Sequence, residues 1–180
     1  MPSITCVTTR TGDQGETSLA NGCRILKNAP YLQSIGDVDE LNAALGLVLS
    51  FKPAPDLIEA LQTIQNTLFH VGSEIAQASG PKIEQHQVDS LEDLDESLLR
   101  QLPPLENFIL PGGSPCSAQL QLIRAICRRA ERSLVALSQL VTLNPFVLTY
   151  INRLSDTLFI LGRYQNQKDG FTEKYWNSRA

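Results

Sequence analysis

The chain has 180 residues, of which 42% are hydrophobic, and its formal net charge at pH 7 is −4. This length and apolar fraction fit a single domain with a substantial core, whereas the negative charge argues against a nucleic-acid-binding surface. The sequence shows neither an N-terminal hydrophobic segment of the signal-peptide type nor a stretch of about 18 apolar residues. We therefore expect a cytoplasmic protein that binds neither nucleic acid nor a membrane.

The first 36 residues form a leader that is rich in hydroxyl groups and glycines and lacks helical periodicity. Its segment 8–18 has the sequence TTRTGDQGETS. Hydroxyls, an arginine and glycines with free backbone N–H groups are what a phosphate-wrapping loop requires, and Lys27 could add a charge. No Gly-Lys-Ser/Thr follows the glycines, so the segment is not a P-loop. The alternative is a plain surface turn with a solvated lysine.

Apolar residues at spacings of three and four predict the first three helices. The first begins near Asp37, where Glu40 completes a capping-box pattern, and ends before Pro53. The second precedes Gly80-Pro81, and its apolar face consists of Leu57, Leu61, Ile64, Leu68, Val71, Ile75 and Ala78. Residues 88–102 form an acidic third helix, which Pro103-Pro104 would stop.

Two further helices begin where a capping side chain precedes a proline, at Ser114-Pro115 and at Asn144-Pro145. The last of them runs to about Gln167. Five helices with short connections and no convincing strand pattern predict an all-α, five-helix bundle. We divide the chain into the leader (1–36), a helical bundle in the same domain (37–167) and a tail (168–180). The tail lacks periodicity and is either disordered or docked on a neighbour.

The fourth helix carries an apolar seam from Leu120 to Val141 and a charged stripe along one edge of it. The stripe consists of Arg124, Arg128, Glu131 and Arg132. Charge beside a core is costly unless it has a partner, and three guanidinium groups in such a place suit a recessed phosphate. The alternative is a solvated helix flank with Arg–Glu pairs at i,i+3 and i,i+4.

The fifth helix is apolar on more than one side, because Leu148 and Phe159 lie off its main apolar face. A partner subunit is the expected cover, so we predict a homo-oligomer. Asn152 could read an adenine edge or a ribose hydroxyl, or it could bond to the adjacent helix. Asp39 is either a carboxylate favoured by the dipole of its helix or a partner of one of the arginines, across the bundle or across subunits.

Other familiar chemistries have little support in the sequence. Cys127 falls in the apolar seam and is interpreted as a small buried hydrophobic residue. None of the cysteines has the spacing of a zinc site or a disulfide framework; they are Cys6, Cys23, Cys116 and Cys127. His70 and His86 lack companions at metal-ligand spacing, and no Ser–His–Asp or Cys–His set indicates covalent catalysis. We predict no protein-bound metal site.

Five motifs, in this order, resemble those of the ATP:cob(I)alamin adenosyltransferases, a trimeric family with a ferritin-like five-helix bundle. They are TRTGD at 9–13 with Gly15 and TSL at 17–19, Gly36 with VDELN at 38–42, FILPGG at 108–113, CRRAER at 127–132 and NRLSD at 152–156. The resemblance spans about residues 8 to 166. One departure is Gln14, where the family commonly has lysine or a small polar residue.

The resemblance implies a site shared between subunits. The leader would bind ATP through Thr9, Arg10, Thr11, Gly12, Thr17, Ser18 and Lys27. The neighbouring subunit would add Arg128, Arg129, Ala130, Glu131, Arg132 and Asn152. Arg124 would pair with Asp39 across the interface, and Phe108 would lie under the corrin and help displace the lower ligand of cobalamin. The residues implied to act in catalysis are Arg128, Phe108, Asp39 and Arg124.

The implied reaction is displacement at carbon. Cob(II)alamin without its lower ligand would accept an electron from a reductase, and the resulting cob(I)alamin would attack C5′ of ATP. Adenosylcobalamin forms and triphosphate leaves, with Mg²⁺ accompanying the nucleotide. Because the cobalt is the nucleophile, no catalytic His or Cys is needed. The alternative function is a non-catalytic ATP- or corrinoid-binding helical carrier or assembly module.

Overall fold

The computed structural model describes residues 8–177, so Cys6 and both chain ends lie outside the described range. The elements are β1 (Glu16–Ser18), β2 (Arg24–Leu26), α1 (Pro30–Ser50), a 3₁₀ turn (Pro55–Leu57), α2 (Ile58–Ile75), α3 (Gln85–Leu99), α4 (Pro115–Ser138) and α5 (Pro145–Lys168). The prediction of an all-α, five-helix protein is confirmed, with a minimal two-stranded sheet added. None of the helices within 8–177 has the length and apolar character needed to cross a membrane.

The bundle is built around α4, which packs against both α1 and α5. The second helix packs on the outer side of α1, and α3 packs on the outer side of α5. The apolar seam of α4 is buried as its periodicity predicts at Leu120, Ile123, Cys127, Ala130, Leu134 and Leu137. The predicted seam extended too far, because α4 ends at Ser138 and Val141 beyond it is only half-buried. Burial raises the pKa of the Cys127 thiol to about 12, so this cysteine is a hydrophobic core residue.

The predicted start of the first helix is wrong. Helix α1 begins at Pro30 rather than near Asp37, because proline has the backbone angle of a first helical turn. Its N-cap, Ala29, makes no side-chain capping bond. Asp37 does not cap the helix; it is buried within α1 and forms an ion pair with Arg129. The capping-box pattern therefore marks a contact between helices.

The leader also contains structure that its composition did not predict. The strands β1 and β2 form an antiparallel hairpin in which Thr17 lies opposite Ile25. Glycine at position 22 has φ +85 and allows the turn between them. The strands are too short for the alternation of apolar and polar residues that would identify them in a sequence.

The other helix boundaries follow local capping chemistry. Ser114 accepts a hydrogen bond from the Ser117 N–H at the start of α4, and Asn144 caps α5, which confirms both predicted starts. Helix α3 begins at Gln85, before the predicted residue 88, because Glu84 forms a capping box with Gln87. Helix α2 ends at Ile75, short of the predicted Ala78, and a left-handed residue follows it at Gln77.

The tail docks on its own chain over residues 171–177, so the alternative of a disordered tail is wrong for these residues, whereas docking on a neighbour stays a prediction. Ile109 and Tyr175 form an antiparallel bridge. Leu110 N–H donates to the Lys174 carbonyl at 2.7 Å, which extends this pairing. The tail is thereby placed beside the FILPGG motif.

Candidate functional site

The leader forms a compact loop with a lysine against it. The Lys27 side chain lies over Gly12, with Nζ only 2.9 Å from where a Cβ on that glycine would be. The backbone N–H of Lys27 donates to the Gly15 carbonyl at 2.9 Å. The hydroxyls of Thr9 and Thr11 are 3.0 Å apart and exposed. Hydroxyls, loop backbone and one ammonium group thus lie together on the surface, as a phosphate-binding loop requires.

Arg24 holds this loop through hydrogen bonds, and it was not predicted from the sequence. Its guanidinium donates to the Thr11 carbonyl at 3.1 Å and to Glu16 at 3.3 Å. Arg10 is exposed and has φ +59. Nearby on β1, position 17 is half-buried and position 18 is exposed. Only the hairpin brings Arg24 next to the loop, so no local sequence pattern could have revealed it.

The leader is fixed to the end of α2 and the start of α1. Ala20 N–H donates to the Ala76 carbonyl at 3.0 Å. Gln77 accepts from Asn21 at 2.6 Å and donates to the Tyr31 hydroxyl at 2.8 Å. The leader therefore lies on the α1–α2 side of the bundle.

Asp39 lines a groove on the α1–α2 side of the bundle. The groove runs between α1 and α2, has a volume of about 430 Å³ and is lined largely by small and apolar residues. Gly36, Asn42 and Phe69 are among its lining residues. The Oδ1 atom of Asn42 is buried and has no hydrogen-bond partner within the described residues.

Three of the four arginines of α4 form no ion pair among the described residues. Arg128 and Arg132 are exposed, and Arg124 is half-buried. Arg124 Nε donates to Gln121 at 3.1 Å, and Arg132 donates to the Arg128 carbonyl at 2.9 Å. Among the ion pairs formed within residues 8–177, none involves these three arginines. The alternative of a flank with Arg–Glu pairs is therefore not observed, and three guanidinium groups stay available for an anion.

The side chains of Asn152 and Glu131 are hydrogen-bonded to each other. Asn152 Nδ2 donates to the Glu131 carboxylate at 2.7 Å, which agrees with the alternative of a helix-to-helix bond. The bond also explains why Glu131 does not neutralise the neighbouring arginines. Contact of Asn152 or Glu131 with a nucleotide stays a prediction.

Arg129 is engaged within the chain. It forms ion pairs with Asp37, at 2.7 Å, and with Glu40. The hydrogen bond to Glu40 and the two negative charges raise the pKa of Arg129 above its usual value. The side chain of the next residue, Ala130, is fully buried in the α4 seam. A role of either residue in ATP binding stays a prediction, and these contacts join α1 to α4.

Phe108 is presented to solvent at the amino-terminal end of α4. Its side chain is 76% exposed, although it is a large apolar group. The Trp176 N–H donates to the Phe108 carbonyl at 2.7 Å, and the two rings meet edge to face with centroids 6.4 Å apart. An exposed aromatic ring on a fixed backbone is suited to stacking against a flat apolar ligand.

Asn166 of α5 shapes the glycine loop that follows Phe108. Its side chain accepts from Ser114 N–H at 3.0 Å and donates to the Gly112 carbonyl at 3.1 Å. Gly113 has φ +106, a conformation that favours glycine. The Ser117 hydroxyl donates to the Gly162 carbonyl at 2.8 Å and holds the start of α4 against α5. Asn166 and Ser117 were not predicted from the sequence; the available signal was a polar residue in the apolar pattern of α5.

The candidate residues occupy two sides of the chain. Phe108 precedes α4. At a rise of about 1.5 Å per residue, Arg128 lies roughly 20 Å along the helix axis from the first residue of α4. Asp39 lies in the groove between α1 and α2, on the side of the bundle to which the leader is fixed. No ion pair joins Asp39 to Arg124 in the described part of the chain.

Comparison with known proteins gives a consistent result. The profile of the cobalamin adenosyltransferase family matches residues 7–165. A cobalamin adenosyltransferase of Cupriavidus metallidurans is 43% identical over 171 residues, covering 94% of this chain and 93% of that protein. The human corrinoid adenosyltransferase MMAB is 38% identical over 186 residues, covering 97% and 74% respectively.

A solved structure agrees with the sequence relatives. It is a variant, with one phenylalanine replaced by alanine, of the PduO-type ATP:corrinoid adenosyltransferase from Lactobacillus reuteri, complexed with cobalamin and ATP. It superposes with a TM-score of 0.89 at 34% identity and covers 94% of this chain and 98% of that one. The chain therefore belongs to the cobalamin adenosyltransferase family, and it is an enzyme that transfers the adenosyl group of ATP to cobalamin.

Proposed function

We propose that this enzyme builds its active site from the arginine stripe and Phe108 of one subunit and the leader of a neighbouring subunit. One observation carries the proposal: within residues 8–177, Arg124, Arg128 and Arg132 have no carboxylate partners although they lie beside the packed seam of α4. Unpaired guanidinium groups in a row suit a triphosphate. The loop that presents Phe108 begins the same helix, so both substrates would meet along α4.

The reaction forms a Co–C5′ bond and breaks the C5′–O bond of ATP. An electron pair of cob(I)alamin enters the new bond, cobalt becomes formally Co(III), and the C–O pair leaves with triphosphate. Negative charge therefore builds on the leaving group in the transition state. Arg128 and Arg132 of one subunit and Lys27 of the other would stabilise that charge. No residue has to remove a proton.

Phe108 would act on the corrin. An exposed, apolar ring against the lower face of the corrin leaves no room for a lower ligand of cob(II)alamin. Without a donor on that face, the accepting orbital of cobalt lies lower in energy, so the cobalt is easier to reduce. The electron would come from a separate reductase.

Magnesium would enter with the nucleotide. No cluster of His, Cys, Asp and Glu that could hold a metal ion occurs among residues 8–177. The hydroxyls of Thr17 and Ser18 are oxygen donors of the kind that Mg²⁺ accepts alongside phosphate. The ion would neutralise part of the charge of the triphosphate, and these hydroxyls with Lys27 would hold the phosphates against the leader.

A homotrimer would bring the two sides of the site together. The leader and Asp39 lie on the α1–α2 side, whereas Arg124 and Arg128 lie on α4. Large apolar side chains are exposed on the same helices, namely Leu47, Phe69, Leu122 and Val135. A second copy of the chain would cover them. It would also place Arg124 of one subunit against Asp39 of the next. The proposed cytoplasmic location rests on the sequence.

The deciding experiment is anaerobic incubation of the pure protein with ATP, Mg²⁺ and chemically reduced cob(I)alamin. We expect adenosylcobalamin, followed by absorbance, and an equal amount of released triphosphate. Omission of either substrate should abolish both signals. Tight binding of ATP or cobalamin without triphosphate release would contradict the proposal and support the carrier alternative.

A further inference from the structure

The C-terminal segment 171–177 crosses the base of the loop that carries Phe108. Leu110 N–H donates to the Lys174 carbonyl, and Trp176 N–H donates to the Phe108 carbonyl, each at 2.7 Å. The Trp176 and Phe108 rings are in edge-to-face contact. The backbone on either side of Ile109 is therefore hydrogen-bonded to the tail, and the Phe108 ring contacts the tail through Trp176.

This docking buries little apolar surface of its own. Phe171, Tyr175 and Trp176 each keep about half of their surface exposed. Backbone hydrogen bonds at an exposed edge compete with water and contribute little net stability. The pairing of the tail with the Phe108 loop therefore needs a further anchor.

Arg163 of α5 supplies this anchor. It is only 3% exposed. Its guanidinium donates to both carboxylate oxygens of Glu173, at 2.9 and 3.1 Å, and to the Pro103 carbonyl at 3.0 Å. A buried guanidinium is costly without a partner, so its charge favours the docked position of Glu173. Arg163 thereby joins α5, the tail and the chain that leads into the Phe108 loop.

We propose that Arg163 and Glu173 are positioning residues for the corrinoid. Their ion pair holds the tail against the Phe108 loop and so sets the position of the Phe108 ring. Neither residue touches the reacting atoms. The step from a fixed tail to corrinoid binding rests on the proposed function, whereas the ion pair and its effect on the tail do not.

Trp176 reports the tail directly, since it is the only tryptophan of the chain. We expect Glu173→Gln to leave the buried Arg163 charge unpaired and release the tail. Acrylamide quenching of Trp176 in the ligand-free protein should then increase by up to about twofold, because about half of its surface is already exposed while the tail is docked. Glu106→Gln is the matched control, because Glu106 is an exposed glutamate just before the loop. It should leave the quenching unchanged.

The second measurement concerns cobalamin. In Glu173→Gln we expect KM for cobalamin to rise by roughly fivefold or more while KM for ATP changes by less than about twofold. The four-coordinate fraction of cob(II)alamin, measured by paramagnetic resonance with ATP present, should fall. Glu173→Asp keeps the negative charge and should partly restore both the KM for cobalamin and the four-coordinate fraction. Thermal unfolding curves of the helical signal identify any variant that fails to fold. If Glu173→Gln does not fold, Glu173→Asp alone is compared with the wild type.

Three outcomes would overturn these inferences. Unchanged Trp176 quenching in Glu173→Gln would contradict the anchoring of the tail. A released tail with an unchanged KM for cobalamin and an unchanged four-coordinate fraction would contradict the positioning role. A wild-type protein that forms no adenosylcobalamin would contradict the proposed function and the corrinoid role together, whereas the quenching result decides the anchoring in the absence of any ligand.

Discussion

At the scale of single residues, what distinguishes the arginines of α4 is whether they have a carboxylate partner. Arg129 has two partners on α1, Asp37 and Glu40, and thereby joins two helices. Arg128, its neighbour in the sequence, has none in the described structure and is exposed. The Arg129 guanidinium thus stabilises the bundle, whereas the Arg128 guanidinium is available to bind an anion.

Arg128→Ala should therefore reduce catalysis while leaving the fold intact. We expect a loss of transition-state stabilisation of about 2–4 kcal/mol, seen as a lower kcat/KM for ATP. Arg100→Ala is a suitable control, because Arg100 is also an exposed arginine but lies at the end of α3, where it pairs with Glu96. An unchanged kcat/KM in Arg128→Ala would remove this residue from the mechanism.

Asp95 is a buried carboxylate with one unsatisfied oxygen. It is 8% exposed, accepts a hydrogen bond from Thr157, and its Oδ1 has no partner among the described residues. Burial raises the pKa of Asp95 to about 6, from 3.8 in an exposed chain. The folded state therefore binds the proton more tightly than the unfolded state. The stability from this proton is fully present below pH 3.8 and is lost as the pH rises to about 6.

Asp95→Asn should accordingly stabilise the protein above pH 6. Asparagine keeps an acceptor for Thr157 and adds a donor, without a charge to bury. We expect a gain on the order of 2 kcal/mol in the free energy of unfolding at pH 7.5, and little gain at pH 4. Urea denaturation at both pH values measures this difference, with the exposed Asp93→Asn as control. A gain of equal size at both pH values would show that the carboxylate charge is not the cause.

At the scale of secondary-structure elements, the helices were predictable because their signals are local. Ser114-Pro115 and Asn144-Pro145 place the starts of α4 and α5, and both side chains cap as expected. The start of α1 was missed because a buried ion pair uses the same residue types as a helix cap. The contacts of Arg24, Asn166 and Arg163 were missed because their partners are distant in sequence. The motifs therefore locate the candidate site, whereas the residues that support it emerge only from the fold.

A substitution in the glycine loop before α4 tests one such long-range contact, between Gly113 and Asn166. At Gly113, φ is +106 and an added Cβ would lie 1.9 Å from the Asn166 side-chain oxygen. Gly113→Ala should therefore lower the free energy of unfolding by about 1–3 kcal/mol. Gly80→Ala is the matched control, because nothing lies within 4 Å of a Cβ at that position. Equal unfolding curves for the two variants would mean that the loop can move away from Asn166 at no cost.

At the scale of the whole molecule, the two halves of the proposed site face different sides of one chain. The leader with Lys27 is fixed to α1 and α2, and the Arg128 stripe lies on α4. If each site uses the leader of one subunit and the arginines of the next, two different inactive variants can complement each other. A site contained within one chain cannot be restored in this way, because every chain carries one defect.

Complementation therefore distinguishes the two arrangements. Lys27→Glu places a negative charge against the triphosphate, and Arg128→Ala removes a positive one, so each variant alone should be nearly inactive. After the two are unfolded together and refolded in equal amounts, random assembly in a closed ring gives one site in about four with both halves intact. We expect about a quarter of wild-type turnover, measured as adenosylcobalamin formed. Activity no greater than the mean of the separately refolded variants would place the whole site within one subunit.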